Sequence, residues 1–233
     1  FTKHLLRPEG GDPVYSTAVV LWAWLAWGCL PVSAASCESL AQLKMSATTI
    51  ESAMSVPAGT FTPPKSAAIA GLPAFCRVTG VIQPSDDSHI RFEVWLPAAG
   101  WNGKLQGIGN GGYAGSIDYA ATDTGHEGSG VSAAWALGHP EKIIDFGHRA
   151  IHETAVKAKA IIREFYEEGP KRAYFSSCSN GGRQALMEAQ RYPEDYDGII
   201  AGAPANYWTH LAVGFLWDSL ATVSDTKNLI PAR

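Results

Sequence analysis

Polar and apolar residues alternate most clearly in the middle of the amino-terminal half, where a β-strand is expected. Every second residue from Ile90 to Leu96 is a large apolar one, and this period of two is that of a strand with one buried face. After a turn, a second strand is predicted over 104–108, and it leads into the small-residue loop 109–113. The stretch 36–72 lacks such a period, so we expect an exposed lead-in with one short helix over 38–44.

Helical periodicity takes over further along the chain. Apolar residues recur every three or four positions from Ile143 to Tyr166, which predicts a long helix that a Gly-Pro pair ends. Short strands are predicted over 173–176 and 198–203, on either side of a second helix over 183–192. Because helices alternate with short, apolar strands, we expect the α/β class, with a parallel sheet covered on both faces.

The turn between the third predicted strand and the helix after it carries the candidate catalytic residue, Ser179. A tight strand-to-helix turn pushes a serine hydroxyl out at the carboxyl edge of a sheet, beside free N–H groups and the positive end of the helix dipole. Gly181 and Gly182 remove Cβ atoms that would crowd this turn, whereas Ser177 stands where the usual pattern has a glycine. The alternative is a polar strand-to-helix loop without a catalytic role.

Acyl transfer also needs donors for the oxyanion that forms on the substrate carbonyl. The loop around Gly111 and Gly112 follows a predicted strand and has little side-chain bulk, so its N–H groups can approach a substrate oxygen closely. A β-turn that binds no ligand would have the same composition.

A serine nucleophile needs a base, and in this architecture an acid and then a histidine follow the serine. His210 is the only histidine after Ser179, and it follows too closely for strands and helices to return the chain to the turn. His126 comes with Asp123 but precedes the serine, and this pair is expected to shape a loop. We therefore expect the base to be absent from this sequence.

The charge balance argues against one class of partner. The chain has 233 residues, a net charge of −4 and no stripe of lysine or arginine, whereas nucleic-acid binding requires a dense cationic face. With 46% hydrophobic and 17% charged residues, it has the composition of a globular chain. No spacing of cysteine or histidine predicts a metal site, and no cofactor is expected.

Residues 1–35 have the layout of a secretory signal. A weakly basic start precedes the uncharged, apolar run Thr17–Gly28 and then small residues up to Ala35, where a signal peptidase would cut. The run is too short to span a bilayer comfortably, although a buried helix or an uncleaved anchor would share its composition. The mature protein is therefore expected to be secreted and free of the membrane.

Export changes how the cysteines are interpreted, because disulfides persist in oxidising compartments. Cys29 would leave with the signal, so that Cys37, Cys76 and Cys178 remain, an odd number. A disulfide between Cys37 and Cys76 would tie down the stretch between them, which is rich in Pro, Ala and Ser. Cys178, next to the candidate nucleophile, then lacks a partner.

Several ordered segments match the motifs of a known family. They are 72–78, 92–97, 101–104, 109–115, 122–126, 135–140, and the region from 178–183 through 203–205. On these segments the chain from Cys37 to Arg233 resembles the tannase and feruloyl esterase family of secreted α/β-hydrolases, which also includes a mono(2-hydroxyethyl) terephthalate hydrolase. The resemblance implies that Ser179 is the nucleophile and that the N–H of Asn180 is one oxyanion donor, with the glycine loop supplying the other.

The resemblance also implies two disulfides. Cys37 and Cys76 would form an amino-terminal one. Cys178 would pair with a cysteine directly beside the catalytic histidine, which would account for the odd number.

By the same resemblance, residues 36–205 are the amino-terminal part of an incomplete α/β-hydrolase domain, and residues 206–233 begin a lid. In the family the lid carries substrate contacts and a calcium site, and the catalytic Asp and His-Cys pair follow it, so none of these is expected here. Between Tyr119 and Thr122 the sequence also lacks a helix and most of a strand that the family has at this place, a loss expected to disturb the sheet. The 233 residues alone are therefore expected to show negligible activity.

The predicted function is the hydrolysis of carboxylic esters of aromatic acids, of feruloyl or galloyl type, through a Ser-His-Asp acyl-enzyme mechanism. The substrate would be a small molecule or an aromatic ester linked to polysaccharide. Two alternatives stay open, namely a non-catalytic secreted remnant that binds aromatic or polysaccharide ligands, and an incomplete gene model.

Overall fold

The structure is a computed structural model that describes residues 35–64, 66–115, 117, 121–225 and 227. The predicted signal segment and Cys29 lie outside these residues, apart from Ala35. Within the described part of the chain, no helix has both the length and the apolarity that crossing a membrane requires.

The amino-terminal part is built on an antiparallel sheet. Strands β1 (Thr48–Val56), β4 (Phe75–Ile82) and β5 (Ile90–Pro97) pair in the order β1-β4-β5, and a hairpin of β2 (Gly59–Phe61) and β3 (Ile69–Leu72) joins β1 to β4. The strand predicted over 90–96 is confirmed as β5. The short helix expected over 38–44 is confirmed as a 3-10 helix, Cys37–Gln42, whereas the expectation of no further regular structure over 36–72 is wrong, because this stretch forms β1 to β3.

A second sheet, which is parallel, carries the candidate catalytic region. Its strands are β6 (Lys104–Gly107), β7 (Arg172–Cys178) and β8 (Gly198–Gly202), in the order β6-β7-β8. The described residues also form the helices α1 (Pro140–Ile144), α2 (Ala150–Tyr166), α3 (Asn180–Arg191) and α4 (Trp208–Val223), with a π-helical turn, Asp145–Arg149, between α1 and α2. All strands and helices predicted for this half are confirmed with shifted ends, and α4 is additional.

The two sheets are separate, because β5 and β6 belong to different sheets in the described residues. The edge of β5 pairs instead with the segment 121–123, where the N–H of Glu93 donates to the Ala121 carbonyl (2.9 Å) and the N–H of Asp123 donates to the Arg91 carbonyl (3.0 Å). The expected parallel sheet is therefore confirmed as β6-β7-β8, and the amino-terminal strands form an antiparallel sheet of their own. The segment 121–123, which pairs with β5, directly follows the point between Tyr119 and Thr122 at which a strand was expected to be missing.

Helix α2 packs on both hydrophobic cores. Ala158 and Ile161 face the core of the antiparallel sheet, in which the Cys37–Cys76 disulfide links the 3-10 helix to β4 with a Cα–Cα distance of 5.4 Å. Ile151 faces the second core, under the parallel sheet. The helix therefore holds the parallel sheet, and the turn at Ser179, against the rest of the fold.

Helix α2 differs from the predicted helix at both ends. The π-helical turn interrupts the periodic stretch that begins at Ile143. At the other end, Glu167 adopts a left-handed conformation (φ 59°) and ends the helix before the Gly-Pro pair is reached.

Candidate active site

Ser179 lies where β7 ends and α3 begins, at the carboxyl edge of the parallel sheet. Its backbone has a φ of 61° and a ψ of −122°, a conformation that residues other than glycine rarely adopt. The N–H of Ser179 donates to the carbonyl of Gly202 (3.1 Å), and the carbonyl of Ser179 accepts from the N–H of Ala205 (3.0 Å). Contacts with the end of β8 therefore hold an exposed serine in a constrained turn.

Glycines allow this turn to be tight. A Cβ on Gly182 would lie 2.3 Å from the carbonyl oxygen of Gly202 and 2.8 Å from the Cα of Pro204, so α3 packs directly against the chain that leaves β8. A Cβ on Gly181 would lie 1.9 Å from the Oγ of Ser177. Ser177, which stands in place of the usual glycine, therefore fits into the turn because Gly181 has no side chain.

The loop after β6 lies against the amino-terminal end of α3. A Cβ on Gly109 would lie 2.8 Å from the Cα of Gly181, so the two backbones are in close contact. Gly112 has a φ of 54°, and a Cβ there would lie 2.5 Å from a backbone oxygen, whereas Gly111 faces open space. The structure thus brings the predicted oxyanion loop next to Asn180, and the steric need for glycine falls on Gly109 and Gly112.

Buried polar side chains join the glycine loop to α3. Gln184 Nε2 donates to Asn110 Oδ1 (2.7 Å), and the backbone N–H of Asn110 donates to Gln184 Oε1 (3.2 Å). Asn180 Nδ2 also donates to Asn110 Oδ1 (3.4 Å), and Asn180 Oδ1 accepts from Arg183 Nε (2.8 Å). The sequence had indicated no role for the side chains of Asn110, Arg183 or Gln184. The one feature of the sequence that could have indicated such a role is that Arg183 and Gln184 are polar residues directly after two glycines, which place this face of the helix against the sheet.

Arg183 anchors this network to the π-helical turn. Its terminal nitrogens donate to the carbonyls of Phe146 and Gly147, each at 2.8 Å, and its guanidinium lies 4.6 Å from the centroid of the Phe146 ring. Burial lowers the pKa of Arg183 to about 10, so the side chain stays charged at neutral pH. The interruption at the start of α2 therefore supplies the carbonyls that fix a residue of α3.

Cys178, which directly precedes Ser179, carries a free and exposed thiol in the described structure. The other described cysteines, Cys37 and Cys76, are bonded to each other. The thiol therefore lies at the carboxyl end of β7, beside the turn that carries the candidate nucleophile.

His126 and Asp123, which precede the serine in the sequence, have partners other than Ser179. His126 Nε2 lies 2.7 Å from the carbonyl oxygen of Tyr113, and its ring stacks on Trp135 with 3.7 Å between centroids. Asp123 Oδ2 accepts from Arg91 Nε at 2.9 Å. These contacts support the expectation that the pair shapes a loop.

Other histidines also have partners away from Ser179. The ring nitrogens of His139, His148 and His152 contact Asp87 Oδ1, the Tyr192 hydroxyl and Asp195 Oδ2, respectively, and His210 lies exposed on α4. Among the residues that the structure describes, no group of three or more His, Cys, Asp or Glu side chains is arranged to hold a metal ion.

A serine held at positive φ between a parallel strand and a helix, with a glycine loop from the neighbouring strand beside it, is the nucleophile-elbow arrangement of α/β-hydrolases. The described residues form part of this fold. The model of the family described as tannase and feruloyl esterase matches residues 76–233. The chain belongs to the tannase and feruloyl esterase family.

Individual relatives agree with this family membership. An uncharacterized esterase of Xanthomonas campestris pv. campestris is 44% identical over 241 residues, which covers 98% of this chain and 41% of the relative. Feruloyl esterase B of Aspergillus niger is 39% identical over 165 residues, which covers 64% of this chain and 31% of the relative. The crystal structure of feruloyl esterase B from Aspergillus oryzae superposes with a TM-score of 0.66 at 33% identity, covering 72% of this chain and 36% of that one. The chain thus spans about two fifths or less of the length of these relatives.

Proposed function

We propose that this chain is the nucleophile-bearing part of a secreted carboxylesterase that hydrolyses esters of aromatic acids, of the feruloyl or galloyl type. The observation that carries the proposal is the turn at Ser179, whose positive φ presents an exposed hydroxyl beside the start of α3. Membership of the family supports ester hydrolysis, and the feruloyl esterase relatives support an aromatic acyl group.

In the proposed mechanism, the Oγ of Ser179 attacks the carbonyl carbon of the ester while a histidine takes the hydroxyl proton. The carbonyl oxygen becomes an oxyanion, which the N–H of Asn180 and an N–H of the loop at Gly111 and Gly112 stabilise. The bond to the alcohol then breaks, and the alcohol leaves with the proton from the histidine. Water, deprotonated by the same histidine, attacks the acyl-enzyme, releases the acid and restores the hydroxyl.

The histidine and the acid that orients it are proposed to lie in sequence that these 233 residues do not span. Residues 36–205 would then be the amino-terminal part of the catalytic domain, and residues 206–233 the start of a lid. A serine without its base keeps only the oxyanion donors, so the 233 residues alone would act orders of magnitude more slowly than a complete site. The mechanism requires no cofactor from this chain.

Two observations support secretion. The Cys37–Cys76 disulfide is buried in the first core, and disulfides persist in oxidising compartments. The composition of residues 1–35 is that of a secretory signal. The proposed substrate is accordingly a soluble or polysaccharide-linked aromatic ester outside the cytoplasm, and the net charge of −4 gives no support for a nucleic-acid partner.

Turnover of methyl ferulate and methyl gallate by the protein expressed from its full reading frame tests the proposal. We expect hydrolysis that Ser179→Ala abolishes and that Ser55→Ala, a matched change at an exposed position of β1, leaves intact. The 233 residues expressed alone should show no measurable turnover. The proposal is wrong if neither ester is hydrolysed, or if Ser179→Ala retains the wild-type rate.

A further inference from the structure

The reciprocal pair of Asn110 and Gln184 bridges the two elements that carry the proposed oxyanion donors. Asn110 directly precedes Gly111, and Gln184 lies on α3, which begins at Asn180. The side chains of the pair are buried, with 5% and 1% of the residue exposed. A buried amide group left without hydrogen-bond partners is destabilising, so the pair opposes movement of the loop away from the helix.

We propose that Gln184 is a positioning residue for ester hydrolysis, which holds the loop at Gly111 and Gly112 at a fixed distance from the N–H of Asn180. The inference rests on the proposed function. Oxyanion donors stabilise a transition state only if they are already placed at hydrogen-bond distance from where the charge develops. A residue that fixes the spacing of two donors therefore affects the chemical step without touching the substrate.

The contacts of Asn110 leave it little freedom. Gln184 holds both its backbone N–H (3.2 Å) and its side-chain oxygen (2.7 Å), and Asn110 Nδ2 donates to the carbonyl of Thr122 (3.2 Å). A Cβ on Gly109 would lie 2.3 Å from Gln184 Oε1, so the amide of Gln184 also packs against the loop backbone. The orientation of the residue before Gly111 is thus set from α3.

The second donor is fixed through the same network. The side chain of Asn180 reaches Asn110 Oδ1 (3.4 Å) at one end and Arg183 Nε (2.8 Å) at the other. Asn180 is fully buried at the start of α3. One continuous chain of hydrogen bonds, from Arg183 through Asn180 and Asn110 to Gln184, therefore connects both proposed donors.

The first test is Gln184→Leu in the protein expressed from its full reading frame. This change keeps the approximate volume and removes both bonds to Asn110, so we expect kcat to fall by about 10- to 100-fold with little change in KM. Glu188→Gln is the matched control, because Glu188 is buried on the same helix but faces Asp195. It should leave kcat within about twofold of the wild type.

The second test, Gln184→Glu, has a readout that a purely structural role would not move. The carboxyl group that this change introduces, when protonated, still donates to Asn110 Oδ1 and accepts from the Asn110 N–H, whereas its ionised form can only accept. The ratio of variant to wild-type kcat should therefore fall as the pH rises. This variant also keeps the proposal testable if Gln184→Leu does not fold.

The possible failures are distinguishable. If the wild type hydrolyses the ester, Ser179→Ala does not, and a folded Gln184→Leu keeps kcat within about twofold, the positioning role is wrong and the proposed function stands. A pH-independent ratio for Gln184→Glu equally overturns it. If the wild type shows no turnover, the proposed function fails, and amide hydrogen exchange at Gly111 and Gly112 decides whether Gln184 holds the loop. Faster exchange at these two amides in Gln184→Leu than in the wild type supports that, and equal exchange overturns it.

Discussion

The Oγ of Ser177 occupies the space that a side chain on Gly181 would need. A Cβ on Gly181 would lie 1.9 Å from this oxygen and 2.5 Å from the Cβ of Ser177, whereas the next atom, the carbonyl carbon of Gly109, would be 3.3 Å away. The two residues lie on opposite sides of the turn that carries Ser179. Ser177 is therefore tolerated because residue 181 is a glycine, and residue 181 must be a glycine because Ser177 carries a side chain.

This relationship predicts that Gly181→Ala is destabilising only while Ser177 is present. In the wild-type background the added methyl group meets a short, rigid side chain, and the free energy of unfolding should fall by about 1–3 kcal/mol. Ser177→Gly should restore most of this loss, which urea denaturation of the two single variants and the double variant measures. If the double variant is as unstable as Gly181→Ala alone, the clash lies elsewhere.

The Cys37–Cys76 disulfide should provide much of the stability of the amino-terminal part. It spans a sequence separation of 39 residues, and constraining the unfolded chain over such a loop contributes about 4 kcal/mol on the chain-entropy model. Replacing both cysteines by alanine should lower the free energy of unfolding of the 233-residue chain by that order. Cys178→Ala, at an exposed thiol, is the control and should change it by less than about 0.5 kcal/mol.

The elements that could be predicted from the sequence are those in which large apolar residues recur at the period of a strand or a helix. The strand β5 and the helix α2 carry apolar residues at the period of their own structure, so local sequence is sufficient. The strand β1 consists largely of small and polar residues, with Val56 its buried position, and it is a strand because it pairs with β4. The helix α4 is apolar on all sides, so no polar face marks its period.

The candidate site likewise has one part that the sequence predicted and one part that it did not. The turn at Ser179 was predictable because the spacing of glycines around a serine is local information. The pair of Asn110 and Gln184 was not, because its partners are separated by 74 residues and only the packing of the loop on α3 brings them together.

Arg183 should be irreplaceable by lysine. Its guanidinium makes three directed hydrogen bonds, to two carbonyls of the π-helical turn and to Asn180, and an ammonium group on a flexible stem cannot reproduce this geometry. Arg183→Lys should therefore lower the free energy of unfolding by about 2 kcal/mol, although the charge is retained. Thermal denaturation measures the loss, and Arg191→Lys at the exposed end of α3 is the control. Equal stability of the two variants would contradict the anchoring role.

Glu188 should make the stability of the protein depend on pH. It is fully buried on α3, and burial, together with the neighbouring Asp195, raises the pKa of Glu188 from 4.5 to about 8. Between these values the native state holds a proton that the unfolded state has lost, so the stabilising contribution is complete below pH 4.5 and is lost as the pH rises through about 8.

Glu188→Gln, which is uncharged at every pH, should therefore gain stability relative to the wild type as the pH rises. Since one pKa unit corresponds to about 1.4 kcal/mol, the gain is on the order of a few kcal/mol. Urea denaturation at a series of pH values measures the difference, with Glu164→Gln on the exposed face of α2 as the matched control. Comparing the two variants shows how much of the change depends on the buried position of Glu188 rather than on the loss of one carboxylate. A difference between Glu188→Gln and the wild type that stays constant with pH would show that the native carboxyl ionises as it does in the unfolded chain.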